Sequence, residues 1–146
     1  MGSCTSSKLP SQQTRLKFQI WDNIIYLDVK VNGKKARFIV DTGAALSLID
    51  VNQSKFYGFN VTQLDHSNFI QGFGSKNQLL AASHINVQYH EFDLRGLKFW
   101  GSDLSHLNDF LQPRNIKILG ILGSDYLARE KAIIDYERRS LVLNRR

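Results

Sequence analysis

Asp41 follows three apolar residues, Phe38-Ile39-Val40, and precedes Thr42-Gly43, after which the chain turns apolar again through Ala44-Ala45-Leu46. A carboxylate set between two segments that both favour burial is costly to desolvate unless it is paired or hydrogen-bonded. Such a setting also shifts a carboxyl's proton affinity, which makes Asp41 the chain's candidate for acid–base chemistry. The remaining aspartates considered, Asp22, Asp28, Asp50, Asp65, Asp93, Asp103, Asp109 and Asp135, lack comparable context and read as solvated or turn residues. His66, His84, His90 and His106 are dispersed, without the spacing of metal ligands. No phosphate-binding loop and no Ser-His-Asp arrangement stands out, so neither a metal nor a cofactor is expected. Trp21 and Trp100 read as core or interface aromatics.

The elements that must position Asp41 follow from local pattern. Ile24 to Val31 ends in apolar–polar alternation, the mark of a half-buried strand. Asn32-Gly33 follows, a two-residue hairpin signal because both residues tolerate positive φ. Lys35 to Val40 is the returning strand and delivers Asp41 at its end. Ala45 to Asp50 reads as another strand, followed by a polar, turn-rich region to about Asn68. Within Phe69 to Leu80, Gly72 and Gly74 flank Phe73. This reads as a glycine-tipped hairpin, either an ordinary surface turn or one whose backbone approaches a ligand. Ala82 to Phe92 and Leu94 to Trp100 are candidate strands. Ser102 to Leu111 has helical spacing with Ser102 as N-cap, and Pro113 marks a boundary. Ile116 to Leu122 is an apolar strand interrupted by Gly120, and Gly123-Ser124-Asp125 opens a short helix over Tyr126 to Glu130. Two closing strands are expected over Ala132 to Tyr136 and Ser140 to Leu143, with a turn at Glu137 to Arg139.

The chain has 146 residues, enough for one core and one domain. Its 42% hydrophobic and 22% charged content and two prolines suit a folded protein. Residues 1–13 are polar and serine-rich and read as a flexible tail, leaving residues 14–146 as the domain. The formal net charge is +6 and the sequence pI about 9.6. Lys34-Lys35-Arg37, Arg138-Arg139 and Arg145-Arg146 are short clusters without interleaved aromatics. They read as a soluble basic surface, and no nucleic-acid partner is expected. The single cysteine, Cys4, excludes an intrachain disulfide. No apolar run approaches the ~20 residues of a membrane span, and the N-terminus lacks the apolar core of a secretory signal. Cytoplasmic location is expected. Gly2 and Ser6 fit the pattern for N-myristoylation, and Cys4 could carry a second acyl chain, which would add a membrane-associated pool.

Three stretches in order carry a resemblance. They are Asp41-Thr42-Gly43-Ala44 after an apolar strand, Ile70-Gln71-Gly72-Phe73-Gly74, and Ile121-Leu122-Gly123 leading into a short helix. Together they resemble the retropepsin-type, single-lobe aspartic proteases, over about residues 15 to 144. Ile134-Asp135-Tyr136 and Leu141-Val142-Leu143 resemble the closing strands of cellular and bacterial members. The resemblance implies a mostly β, single-lobe acid protease fold with a flap hairpin and short helices. It implies an aspartic endopeptidase that is a homodimer, because each lobe of these enzymes brings one D-T-G and this chain has one. Asp41 from two subunits would then share a proton and activate a water. Thr42 would lock the two turns across the axis, and Gly43 would leave room for backbone near the substrate. An extended peptide or protein substrate would lie under Ile70, Gln71, Gly72, Phe73 and Gly74, against apolar walls from Ala44, Ile121, Leu122 and Phe73. The alternative is the same fold kept as a peptide-binding or dimerisation module with little or no hydrolysis.

The chain departs from the viral pattern at two positions. Viral members carry an acid two places after the D-T-G glycine and an arginine just after the later glycine, and the two pair. Here those positions are Ala45 and Ser124, so both charges are absent together and neither is stranded. Asp125, at the start of a helix, is expected to act as a cap. Phe73 is bulkier than the aliphatic residue common in the flap of relatives.

Overall fold

The computed structural model of the chain describes residues 13–63 and 80–144. The fold is mostly β. Its strands are β1 (Gln13–Lys17), β2 (Gln19–Trp21), β3 (Ile24–Val31), β4 (Lys34–Val40), β5 (Leu48–Asp50), β6 (Asn60–Gln63), β7 (Leu80–Ser83), β8 (Val87–Tyr89), β9 (Phe92–Asp93), β10 (Trp100–Ser102), β11 (Gly120–Leu122), β12 (Ile133–Asp135) and β13 (Ser140–Asn144). Three short helices interrupt them, α1 (Ser54–Tyr57), α2 (Ser105–Leu111) and α3 (Ser124–Arg129). The expected tail is described only from Gln13, which already begins β1. Gly2, Cys4 and the expected flap from Ile70 to Gly74 lie outside the described residues.

The larger sheet runs β6-β7-β10-β5-β11-β4-β3-β8-β9, with β2 added on β3. A separate sheet, β1-β13-β12, brings the two ends of the described chain together. Asn32 and Gly33 turn β3 into β4 with φ of 49° and 83°, as the Asn-Gly signal requires. Asp22-Asn23 makes a second such turn between β2 and β3, at φ 51° and 64°.

Strand alternation sends side chains to two cores. Ile25, Leu27, Val29 and Val31 of β3 and Phe38 and Val40 of β4 enter the main cluster. Tyr26 and Ile39, on the opposite face, join Leu104, Leu111, Ile116 and Ile118 in a second cluster. The hairpin is therefore buried on both faces at the end that delivers Asp41, a condition that fixes its register.

Several expected boundaries shift, each for a local reason. The strand expected over Ala45 to Asp50 keeps only Leu48–Asp50, because Ala44 and Ser47 bond instead to the start of α3. The strand expected over Ala82 to Phe92 is broken by His84 and His90, both at positive φ. Leu94 to Trp100 is a turn segment around Gly96 (φ 75°), and only Trp100 is paired. Ser102 does not cap α2. It lies buried in β10, and the Asp103 carboxylate takes the Ser105 N–H at 2.9 Å. Over Ile116 to Leu119 the backbone is held by separate hydrogen bonds, Ile118 N–H to the Asn108 side chain and Leu119 to Arg37 and Asp50, and the regular strand is only Gly120–Leu122. Asp50 is no solvated acid. It is 2% exposed and accepts from Asn52, Gln53, Leu104 and Asn108.

Candidate active site

β11 lies between β4 and β5, parallel to the first and antiparallel to the second. Val40 pairs with Leu122, so both chains leave the sheet at the same end, one into Asp41 and the other into Gly123. β5 enters at that same end through Ser47. Three sequence-distant segments thus meet because of strand direction.

The Asp41 N–H donates to the Leu122 carbonyl at 3.0 Å, extending the β4–β11 ladder to the acid itself. The Gly43 N–H donates to Asp41 Oδ1 at 2.9 Å, and the Ala44 N–H to the Asp41 carbonyl at 3.2 Å. The carboxylate is folded over its own turn. A Cβ on Gly43 would sit 3.2 Å from Oδ1, tight enough to push the oxygen aside. Asp41, Thr42 and Gly43 are all exposed in the single chain. The desolvated acid read from the sequence is therefore not buried by its own chain.

A bracket of hydrogen bonds holds this turn from beneath. The Ser124 N–H and hydroxyl both donate to the Ala44 carbonyl, at 2.7 and 3.1 Å. Ser47 is fully buried. Its hydroxyl donates to Asp125 Oδ1 at 2.7 Å and its N–H to Oδ2 at 3.0 Å, while its Oγ accepts the Gly123 N–H at 2.9 Å. The N-cap position of α3 is Gly123 and makes no side-chain cap bond, so Asp125 is not the expected cap; it sits in the first turn, accepts the Tyr126 N–H at 2.7 Å and ties α3 to the segment entering β5. Ser124, in place of the viral arginine, supplies neutral donors to the same loop. Gly123 admits no side chain, since a Cβ there would lie 2.6 Å from the Leu46 carbonyl oxygen and 2.7 Å from that of Ala44.

Of the expected walls, Ala44 and Ile121 are partly exposed near Asp41, and Ile121 packs on the second cluster. Leu122 is a correction. It is 1% exposed and its side chain belongs to the main core, because strand alternation turns it away from Ile121's face. Ile70, Gln71, Gly72, Phe73 and Gly74 lie outside the described residues. Ser47 escaped sequence reasoning. Its signal was a hydroxyl between Leu46 and Leu48, which burial obliges to find partners. Among the described residues no group of His, Cys, Asp and Glu is placed to hold a metal ion, and no helix is long and apolar enough to cross a membrane.

Comparisons with known proteins agree with this fold. The chain resembles a retropepsin-like aspartic protease from Rickettsia conorii at 20% identity and a TM-score of 0.51, covering 91% of this chain and 90% of that one. It resembles the retroviral protease-like domain of Ddi1 from Leishmania major at 17% identity and a TM-score of 0.54, over 83% and 88% of the two chains. EIAV protease, solved with the inhibitor HBY-793, matches at 16% identity and a TM-score of 0.51, over 76% and 91%. No curated protein sequence matches the chain. A family model described as "gag-polyprotein putative aspartyl protease" matches residues 27–129, from β3 through α3. With that match over most of its length and a retropepsin-like fold around Asp41, the chain belongs to the gag-polyprotein aspartyl protease family.

Proposed function

We propose that the protein is an aspartic endopeptidase whose catalytic dyad is Asp41 from two copies of the chain. The observation that carries this is the state of Asp41. It is exposed with Thr42 and Gly43 at the mouth of the β4–β11 pair, its backbone is tied to β11, and Oδ1 is held by Gly43. Among the described residues no second carboxylate of the same chain bonds to it. A single solvated carboxylate has no acid beside it, which supports a reading in which the second carboxyl comes from another copy of the chain related by a two-fold axis.

Two carboxyls about 3 Å apart share one proton, because both cannot ionise. The ionised one takes a proton from the water held between them, and the water's oxygen attacks the scissile carbonyl. The protonated one donates a hydrogen bond to that carbonyl as charge builds on its oxygen. The proton taken from water passes to the leaving nitrogen. Gly43 donates to Asp41 Oδ1 and so fixes the carboxylate's plane, while the bracket from Ser47, Ser124 and Asp125 fixes the loop. Thr42, exposed beside Asp41, would meet its copy across the axis. Ile121 and Ala44 would border side chains flanking the scissile bond, which favours apolar residues there.

The test is cleavage of a diverse peptide library at high protein concentration between about pH 4 and pH 7, comparing wild type with Asp41→Asn. Cleavage by wild type alone, with specific activity rising with protein concentration, is expected. If neither protein cuts while both are folded dimers, the fold serves as a peptide-binding module instead.

A further inference from the structure

The outer face of the β3–β4 hairpin changes character along its length. Near Asp41, Tyr26 opposes Ile39 and the second cluster covers both. Further along the same face Asp28 opposes Arg37, and then Lys30 opposes Lys35. That far end is the floor of a cleft of about 1300 Å³, which also draws Phe56 from α1, Gln88 from β8, and Lys117 from the segment before β11. Lys35 stands six residues before Asp41 on the same strand. At ~3.3 Å per residue the cleft is roughly 20 Å from the catalytic carboxylate.

The charges in the cleft do not balance. Arg37 is neutralised by Asp28 through a two-point pair, Nε–Oδ1 at 2.6 Å and Nη2–Oδ2 at 3.2 Å. Lys30 and Lys35 are paired directly across the strands, and like charges so placed destabilise a sheet. Neither lysine, nor Lys117, has an ion-pair partner among the described residues. Glu91 is the one lining carboxylate outside an ion pair, with His90 beside it in the chain. Phe56 is 62% exposed, and Lys34 Nζ lies 4.2 Å from its ring centroid. The Gln88 side-chain amide makes no hydrogen bond within the described chain and is free to meet a peptide backbone. Ammonium groups without ion-pair partners lining one cleft with an exposed ring call for an anionic ligand with some apolar surface.

We propose that this cleft is a docking site for an acidic, extended segment of a protein substrate, lying remote from the scissile bond. Carboxylates of the segment meet Lys30, Lys35 and Lys117, and an apolar side chain rests on Phe56. Calling the ligand a substrate rests on the protease reading above; the binding itself does not. A peptide fits better than a nucleic acid. Asp28 and Glu91 interrupt any track for phosphates, and among the residues lining the cleft Phe56 is the one strongly exposed aromatic ring of Phe, Tyr or Trp where a strand of bases would need several. Docking of this kind lowers KM for substrates that carry the acidic segment and leaves the chemical step alone.

The experiment uses the full chain carrying Asp41→Asn, so that binding is read without hydrolysis. A fluorescein-labelled acidic peptide, Glu-Leu-Glu-Glu-Phe-Glu, is titrated by anisotropy at low salt. It is compared in the Asp41→Asn background alone, with Lys30→Ala/Lys35→Ala/Lys117→Ala added, and with the three Lys→Arg changes added. The proposal expects at least tenfold weaker binding for the alanine variant, retained binding for the arginine variant, and weakening with added salt. It also expects the alanine variant to unfold at the same or a higher temperature, because two opposed like charges are gone. Equal affinity of the alanine variant would overturn it. So would displacement of the peptide by a single-stranded oligonucleotide that binds more tightly, which would make the cleft a nucleic-acid site. Loss of the protease reading would show separately, as wild type failing to cut any peptide while this binding persists.

Discussion

The Asp125 carboxylate holds both the N–H and the hydroxyl of Ser47, at 3.0 and 2.7 Å, across a sequence separation of 78 residues. Ser47 in turn receives the Gly123 N–H, so one buried hydroxyl joins β5, the end of β11 and the start of α3 under the Asp41 turn. Ser47→Ala leaves the buried Gly123 N–H without a partner and takes one of its three donors from Asp125, whose bonds from the N–H groups of residue 47 and Tyr126 remain. A loss of about 1–3 kcal/mol in unfolding free energy is expected. Peptide cleavage should fall as well, because the loop carrying Asp41 loses its anchor. Denaturant unfolding of Ser47→Ala and Asp125→Asn decides this. An unchanged midpoint for Ser47→Ala would show that the bracket carries no load.

Gly120 allows the three central strands to close on one another. A Cβ there would lie 2.2 Å from the Leu48 carbonyl oxygen and 2.6 Å from the Phe38 ring. One neighbour is backbone of a paired strand and the other is a fully buried ring, so neither can give way. Gly120→Ala should cost at least about 3 kcal/mol, beyond ordinary overpacking, and should yield little soluble protein. Gly33→Ala, with nothing within 4 Å of the added methyl, is strained only through its φ of 83°. It should cost less, by about 1–2 kcal/mol. Comparable thermal midpoints for the two variants would contradict this ordering.

Asp50 collects donors from β5's own exit, from α2 and from the turn before it. Asp50→Asn turns one acceptor into a donor facing other donors. A loss of about 3 kcal/mol is expected, from hydrogen bonds to a charged group made within a buried site. Asp28→Asn, at a surface pair with Arg37, should cost under about 1 kcal/mol. Equilibrium unfolding of both variants in one buffer tests the contrast.

Acid weakens two local anchors. Backbone and side-chain hydrogen bonds from Ser105, with one from Asn52, hold Asp103 below its ordinary value of 3.8. The Arg138 N–H, then the Arg138 and Arg15 side chains, do the same for Asp135. Both pKa values are lower folded than unfolded. The stability they contribute is therefore complete above the unfolded value, and is lost as pH falls from about that value through the folded one. The start of α2 and the β12–β13 turn should loosen below roughly pH 4, under the weakly acidic window proposed for catalysis. Hydrogen exchange of the Ser105 and Arg138 amides at pH 5 and pH 3 measures this, after correction for intrinsic exchange. Equal protection at both pH values would count against it.

The D-T-G at the end of an apolar strand, the Asn-Gly hairpin before it, and the Leu-Gly that opens α3 were legible in the sequence. Each depends on a local rule: alternation, a positive-φ turn, or a glycine where no side chain fits. Local rules also placed β3 and β4 within a residue of their ends. They failed where partners came from far along the chain. Ser47 and Asp50 read as part of a strand and as a solvated acid, but parallel pairing of β4 with β11 and burial beneath α2 gave both a structural role. Leu122 read as a wall of the site, and its position one residue past Ile121 in a strand buried it in the core. Lys35 read as part of a soluble basic cluster, and only the hairpin and the segment before β11 set Lys30 and Lys117 in one cleft with it. The sequence by itself singled out Asp41 as the candidate for the chemistry, because of the neighbours on each side of it. Only the tertiary structure decided what holds it, because the direction of pairing between distant strands is set by how the whole sheet buries its faces.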